Sequence, residues 1–149
     1  SISDMVFIDT ESRGNASSVQ ILEEADLVVV NIDQDKGDWD DYFENYASML
    51  EKSVFLIGRY EKENPFNLEL IQRQYHIPRG KMAVIPYNID LHIAANEGRM
   101  IPFLNRNYLK SSRAENEYLM GEVKRAVIML KENMTYLGKP DMMRRFGKN

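Results

Sequence analysis

Four short runs of almost uninterrupted apolar residues limit the folds that this chain can adopt. They are "DMVFID" (4–9), "DLVVVNI" (26–32), "SVFLIG" (53–58) and "KMAVIPY" (81–87). A strand with one face in water alternates apolar and polar residues, whereas a strand covered on both faces does not. We therefore expect four buried strands in a mostly parallel sheet.

The segments between these runs have helical spacing or composition, at 16–24, 38–51 and 65–75. An alternation of strand and helix is typical of βαβ units, whose crossover helices cover both faces of a parallel sheet. The order of elements therefore predicts an α/β fold of three layers, a mostly parallel sheet flanked by helices, as in Rossmann-like domains.

The C-terminal part of the sequence is expected to be helical. A short helix is predicted over 90–98, with Asp90 as its N-cap and Gly98 ending its last turn, followed by an irregular stretch over 99–112. The longest helix is predicted over 114–134, and it should pack on the sheet through Tyr118, Val123, Val127 and Leu130.

The composition indicates one domain and an unevenly distributed charge. A chain of 149 residues with 44% hydrophobic content can bury one core, predicted over 1–135 with a loose basic and apolar tail over 136–149. The sequence has no cysteine and no apolar run long enough to span a membrane, which favours a cytoplasmic protein. Residues 1–99 carry 9 basic and 18 acidic side chains, whereas residues 100–149 carry 10 and 5.

Each predicted strand ends in polar residues. Ligands of open α/β sheets bind at the carboxyl ends of the strands, where loops and helix N-termini present backbone N–H groups. Asp9 closes the first run, and a carboxylate in that position can hold a Mg²⁺-bound water beside a phosphate. Two alternatives remain, a helix cap and a polar loop residue. The four ends are Asp9-Thr10-Glu11, Asn31-Ile32-Asp33, Gly58-Arg59-Tyr60 and Pro86-Tyr87-Asn88.

Four segments in unbroken order over residues 4–104 carry a family resemblance. They are "DMVFIDTESRG…ILEEADLVVVNIDQD", "FLIGRYEKEN", "MAVIPYN" and "AANEGRMI". This order resembles the C-terminal portion of MinD/ParA-type P-loop ATPases, which have deviant Walker A motifs. The family pattern reads hhhhD-[ST]-P-x-G, a helix, A-D-hhhhV, a strand ending in h-x-R-Y, an h-h-x-I-P strand and an A-x-x-x-G turn.

The resemblance implies ATP and Mg²⁺ as cofactors and a role for each matching residue. It implies that Asp9 is the Mg²⁺-linked acid and that the segment from Thr10 through Glu11 and Arg13 to Gly14 forms the switch that senses the γ-phosphate. Glu11 would repel a triphosphate there unless Mg²⁺ or Arg13 compensates its charge. It further implies a base-binding rim built from Gly58, Arg59, Pro86, Tyr87 and Asn88.

The sequence departs from the family pattern at several positions. Glu11 stands where the family usually has proline, and Gly14 lies five residues after Asp9 instead of four. Gly58 lacks the side chain with which many members reach the adenine. No G-x-x-x-x-G-K-[ST] phosphate loop occurs in the sequence. Either that half lies upstream of residue 1, with ATP and Mg²⁺ bound only in its presence, or the protein is a degenerate scaffold that no longer hydrolyses ATP.

The family resemblance also implies partners and a location. It implies a homodimer that positions cargo such as division, partition, flagellar or pilus machinery, and the altered switch is similar to that of TadZ/CpaE-type pilus-localisation proteins. The tail over 139–149 resembles short membrane-touching tails, which favours a location at the membrane or cell pole, unless it is only solvated. The basic C-terminal third allows non-specific DNA contact, although a solvated face is the simpler interpretation.

Three further patterns have structural explanations. His76 and His92 lack metal-ligand spacing. The acidic stretch 33–41 is typical of a helix start, and the aromatic stripe that begins at Trp39 should face the core. A flavodoxin-like or receiver domain remains an alternative fold, although it does not explain "VIPYN".

Overall fold

The computed structural model describes residues 5–10, 16–111 and 113–137. Within these residues the chain forms three strands, six α-helices and two short 3₁₀ turns, Ala47–Lys52 and Arg79–Lys81. The strands are Val28–Ile32 (β1), Ser53–Tyr60 (β2) and Met82–Pro86 (β3). The helices are Ala16–Glu24 (α1), Lys36–Asn45 (α2), Leu68–Tyr75 (α3), Ile89–Asn96 (α4), Met100–Leu109 (α5) and Ala114–Leu137 (α6).

The three strands form one parallel sheet in the order β1-β2-β3. Val29 lies opposite Val54, and Ile57 lies opposite Val84. Helix α2 joins β1 to β2, and α3 joins β2 to β3. The predicted α/β architecture, with a parallel sheet flanked by helices, is therefore confirmed.

One face of the sheet is covered by an aromatic core. Trp39 of α2 is fully buried against Phe55 of β2, with ring centroids 5.1 Å apart. Its indole N–H donates to the carbonyl of Asp33 at 2.9 Å, so burial leaves no unpaired donor. Tyr42 and Phe43 pack on the same cluster, and Tyr46 stacks on Tyr42. The prediction that this stripe faces the core is confirmed.

The other face is covered by α6, which contacts β2 and β3. Val54 and Ala83 of the sheet pack with Ala126 and Met129 of the helix. The predicted packing stripe was wrong at Val127, which is 43% exposed. The helix is rotated so that the neighbouring position faces the strands, a difference that apolar spacing alone cannot resolve because several adjacent positions of α6 are apolar.

The predicted strand over 4–9 was wrong. Residues 5–10 form no strand, and Val6 and Phe7 are 77% and 82% exposed. A strand needs a neighbour that accepts and donates its backbone hydrogen bonds, and apolar composition does not supply one. The sheet in the described residues therefore has three strands instead of the four expected.

Two expectations about the C-terminal helices were also wrong. Helix α4 is capped by Asn88, whose side chain accepts from the N–H of Leu91 at 2.8 Å, and not by Asp90. Residues 100–109 form α5 instead of an irregular stretch, because Pro102 lies in the first turn, where its missing N–H has no role. Gly98 follows α4 with φ +68°, as expected of the residue that ends this helix.

Candidate functional site

The carboxyl ends of the three strands meet at one edge of the sheet because the strands are parallel. Asp33 and Gln34 follow β1, Gly58-Arg59-Tyr60 close β2, and Pro86-Tyr87 lie at the end of β3. The backbone N–H of Tyr87 donates to the carbonyl of Tyr60 at 3.0 Å, which joins the two neighbouring ends. This carboxyl edge is the candidate site, and it brings together the five residues predicted for the base-binding rim.

An ion pair joins the first two strand ends. The Nε of Arg59 donates to Oδ2 of Asp33 at 3.1 Å, and its Nη2 contacts the same oxygen. The hydrogen bond to Asp33 raises the pKa of Arg59 above its ordinary value, and the negative charge of Asp33 acts in the same direction. Both side chains are solvent-exposed, so the pair organises the edge more than it stabilises the fold.

The end of β2 has an unusual backbone. Arg59 adopts φ +46°, and the pairing of β2 with β3 is irregular between Ile57 and Tyr60. A non-glycine residue in the left-handed region costs about 1–3 kcal/mol and persists only where its surroundings hold it. Tyr60 supplies this restraint, since it returns to register with Pro86. Strain of this kind is frequent at ligand-binding positions.

Gly58 has a packing role beside this strained residue. A Cβ at position 58 would lie 3.1 Å from Oδ1 of Asp33, closer than most such contacts in proteins. The glycine therefore leaves room for the Asp33 carboxylate that pairs with Arg59. The absence of a side chain at position 58, a departure from the family pattern, is explained locally by this close approach.

Gln34 is a further organising residue, and the sequence offered no signal for it. Its Nε2 donates to the carbonyls of Glu61 and Phe66 at 3.1 and 2.9 Å, and its Oε1 accepts from the N–H of Glu61 at 2.8 Å. The hydroxyl of Tyr60 accepts from the N–H of Leu68 at 3.1 Å. These bonds hold the loop after β2 against the end of β1.

Tyr87 and Asn88 differ in their freedom to contact a ligand. The side chain of Tyr87 is 50% exposed at the carboxyl edge. Asn88 is buried, its Oδ1 caps α4, and its Nδ2 donates to Oδ1 of Asn116 at 2.8 Å. Asn88 therefore shapes the loop with both of its side-chain groups, while the ring of Tyr87 is available to a planar ligand.

The helix N-termini at this edge are closed by their own side chains. The carboxylate of Asp35 accepts from the N–H groups of Gly37 and Asp38 in α2. Asn67 accepts from the N–H of Leu70 in α3, as Asn88 does in α4. Phosphates bind helix N-termini through free backbone N–H groups. The side-chain caps already accept hydrogen bonds from some of these N–H groups. In the described part of the edge, these N–H groups are therefore already used within the protein.

The predicted switch residues lie largely outside the described residues. Glu11, Arg13 and Gly14 belong to that undescribed part. Asp9 is exposed and Thr10 half-buried, in a segment without strand structure. No hydrogen bond or ion pair of the described residues joins either one to the carboxyl edge. The expected position of Asp9 at the end of a strand was therefore wrong, and its role in binding Mg²⁺ stays a prediction.

The described residues contain no group of three or more His, Cys, Asp or Glu that could hold a metal ion. His76 and His92 are both exposed, and His76 ends α3 in the left-handed conformation. Mg²⁺ needs only one or two protein carboxylates when a nucleotide supplies phosphate oxygens. Phosphates and Mg²⁺ would therefore need groups beyond those described at the carboxyl edge.

No helix in the described ranges has the length and apolar character needed to cross a bilayer. The predicted membrane-touching tail over 139–149 lies outside those ranges.

Comparisons with protein-family models, with curated proteins and with solved structures found no match to this chain.

Proposed function

We propose that this chain is the base-binding portion of a nucleotide-switched ATPase of the MinD/ParA type. The observation that carries the proposal is the carboxyl edge, where Tyr87, with a half-exposed side chain, is joined through its backbone to the strained end of β2. An open parallel sheet binds ligands at this edge. An exposed aromatic ring at this edge suits a planar base.

In this proposal the chain's own residues orient the nucleoside. Tyr87 stacks on the base, while Asp33, Gln34 and Gly58 hold Arg59 and the loop after β2 in place. ATP with Mg²⁺ would supply a γ-phosphate whose presence or loss would switch the protein. As the resemblance implies, Asp9 would be the Mg²⁺-linked acid, and the segment from Thr10 through Glu11 and Arg13 to Gly14 would respond to the phosphate.

The biological setting follows from the same resemblance. A nucleotide-dependent homodimer would position cargo at a cell pole or on the cytoplasmic membrane surface, in the manner of the TadZ/CpaE branch. The cargo would be pilus, partition or division machinery. Phosphates would be held by a loop that is not among the described residues, because the helix N-termini of the carboxyl edge are closed by side-chain caps.

A second candidate is a degenerate scaffold that dimerises without hydrolysing ATP. Two observations favour it. The sequence contains no G-x-x-x-x-G-K-[ST] loop, and Arg59 at the carboxyl edge is paired with Asp33. In this alternative the same residues serve only to fold the domain.

Thermal unfolding of the full-length protein with and without ATP·Mg²⁺ separates the two candidates. A ligand at about 100 times its Kd stabilises the folded state by about 2.7 kcal/mol, so the ATPase should gain several degrees in Tm. Adenosine alone should give a smaller gain, because only the base-binding part is used. A Tm unchanged by either ligand at millimolar concentration would leave the scaffold as the function.

The variant Tyr87→Ala tests the base-binding rim. Loss of the stacking ring should weaken binding of ATP and adenosine by about 1 kcal/mol, or roughly fivefold. Tyr108→Ala is the matched control, since Tyr108 is 56% exposed on α5, away from the carboxyl edge. Equal affinities in the two variants would remove Tyr87 from the site.

The variant Asp9→Ala tests the proposed Mg²⁺-linked acid. It should abolish ATP turnover, and full turnover in that variant would exclude a role of Asp9 with Mg²⁺.

A further inference from the structure

A cavity of about 490 Å³ lies between α4, α5 and the start of α6. None of the five residues predicted for the base-binding rim lines it. Its wall includes buried Phe103 and Ala94, and its volume is in the range of cavities that hold small organic ligands. It is therefore a concave surface whose chemistry differs from that of the carboxyl edge.

The lining of the cavity is positively charged although the chain as a whole has a net charge of −4. Two carboxylates, Asp90 and Glu97, oppose four cations, which leaves two positive charges in excess. A concave cationic surface on an acidic protein concentrates anions locally. The four cations are Arg99, Arg106, Lys110 and Arg113.

The two excess charges can be assigned to individual residues. Arg99 pairs with Glu97, and Arg113 pairs with Asp90. Arg106 and Lys110 have no carboxylate partner among the described residues. Arg106 lies in the last turn of α5 and Lys110 directly follows this helix in an extended conformation, and both line the cavity. Two unpaired cations that both line one cavity attract anions.

A buried amide network underlies these cations. Asn116 accepts from Asn88, and its Nδ2 donates to Oδ2 of Asp90 at 3.3 Å and to Oδ1 of Asn107 at 3.4 Å. The amide of Asn107 donates to the carbonyl of Phe103 at 2.9 Å. These bonds fix the position of the Asp90 carboxylate, on which Arg113 is held through Nη1 at 3.1 Å from both oxygens.

The guanidinium group of Arg113 is held by Asp90, and only one of its nitrogens is hydrogen-bonded within the described residues. Its bonds to Asp90 employ one nitrogen, Nη1, and no described residue accepts a hydrogen bond from the other two. Guanidinium groups bind phosphate through two parallel N–H bonds when the group is held in place. Arg113 therefore adds a positioned donor to the two free charges of Arg106 and Lys110.

We propose that this cavity binds a small molecule through a phosphate group. Arg106 and Lys110 neutralise the phosphate, Arg113 donates to its oxygens, and the wall formed by Ala94 and Phe103 contacts the apolar body of the ligand. The concave shape favours a small molecule over duplex DNA, whose backbone is contacted by flat or protruding surfaces. The proposal is independent of nucleotide binding at the carboxyl edge.

Calorimetric titration of the full-length protein with inorganic pyrophosphate tests this proposal, with the double variant Arg106→Gln/Lys110→Gln as the probe of the site. The variant should bind pyrophosphate at least tenfold more weakly than the unaltered protein. The control Arg73→Gln/Lys131→Gln removes the same charges from exposed positions of α3 and α6. It should bind within about twofold, because distant exposed charges are screened by salt.

Three outcomes would overturn the proposal. The first is that the unaltered protein does not bind pyrophosphate at millimolar concentration. The second is that both double variants lose the same amount of pyrophosphate affinity. The third is that the protein binds duplex DNA more tightly than pyrophosphate and loses this binding when Arg106 and Lys110 are replaced. If pyrophosphate were bound at a phosphate loop instead, its affinity would not change in the Arg106/Lys110 variant. This result distinguishes a failure of the cavity proposal from a failure of the proposed ATPase function. All four positions are exposed, and circular dichroism confirms folding of each variant.

Discussion

Val29 and Val54 are opposite one another on neighbouring strands and on the same face of the sheet, yet their environments differ. Val54 is fully buried, whereas Val29 is 37% exposed. Helix α6 covers β2 and β3, and over β1 that face is partly open, with Asn31 also exposed. The same residue type in the same kind of strand is therefore buried or not according to whether a helix lies above it.

On the opposite face of the sheet, all three strands contribute buried residues, although Val30 of β1 is only partly buried. Ile32 of β1, Phe55 and Ile57 of β2 and Val84 of β3 all belong to one buried cluster around Trp39. Helix α2 places this large ring over the centre of the sheet. The comparison teaches that the two faces have different tolerance to substitution, with the aromatic face the more demanding of the two.

The largest effect is expected for Trp39→Ala. Truncation of a fully buried tryptophan removes its contacts with Phe55 and Tyr75 and should lower the free energy of unfolding by about 3–5 kcal/mol. Urea unfolding measures this change. Trp39→Phe keeps a ring and loses only the hydrogen bond to Asp33, so its cost should be smaller. A loss below 1 kcal/mol in the alanine variant would contradict the central position of Trp39.

The next effect compares the two opposed valines directly. Val54→Thr buries a hydroxyl under α6 and should cost about 1–3 kcal/mol, because the group loses its contact with water. Val29→Thr is the matched change on the open side and should stay within about 0.5 kcal/mol of the unaltered protein. Unfolding curves of the two variants decide the comparison. If both variants lost a similar amount of unfolding free energy, the open face of β1 would be covered in solution.

The smallest effect is expected at the end of β2, beyond the buried core. Arg59→Gly removes the cost of the left-handed conformation and should make the protein about 0.5–1 kcal/mol more stable than Arg59→Ala. Both variants lose the ion pair with Asp33, so the difference isolates the backbone term. Chemical denaturation at matched salt measures it. If the alanine variant were the more stable one, the strain at Arg59 would be disproved.

The candidate site could be anticipated only in part. Parallel strands bring their carboxyl ends together, so Gly58, Arg59 and Tyr87 were expected to share an edge from their positions alone. The pairing of Arg59 with Asp33 could not be predicted, because it depends on the left-handed turn that aims the arginine back towards β1. Gln34 gave no signal, since its bonds to the loop after β2 exist only once the loop has folded beside it.

The apolar runs, by themselves, determined where three strands form and that the sheet is parallel with helices on both sides. Their composition carries this information because a doubly covered strand must be apolar throughout. Only the tertiary structure decided that the equally apolar run over 5–9 forms no strand of the sheet. It also decided that the side chain of Val29 is partly exposed to solvent. Strand pairing and helix cover are contacts between distant parts of the chain, and their geometry is not written in any local pattern.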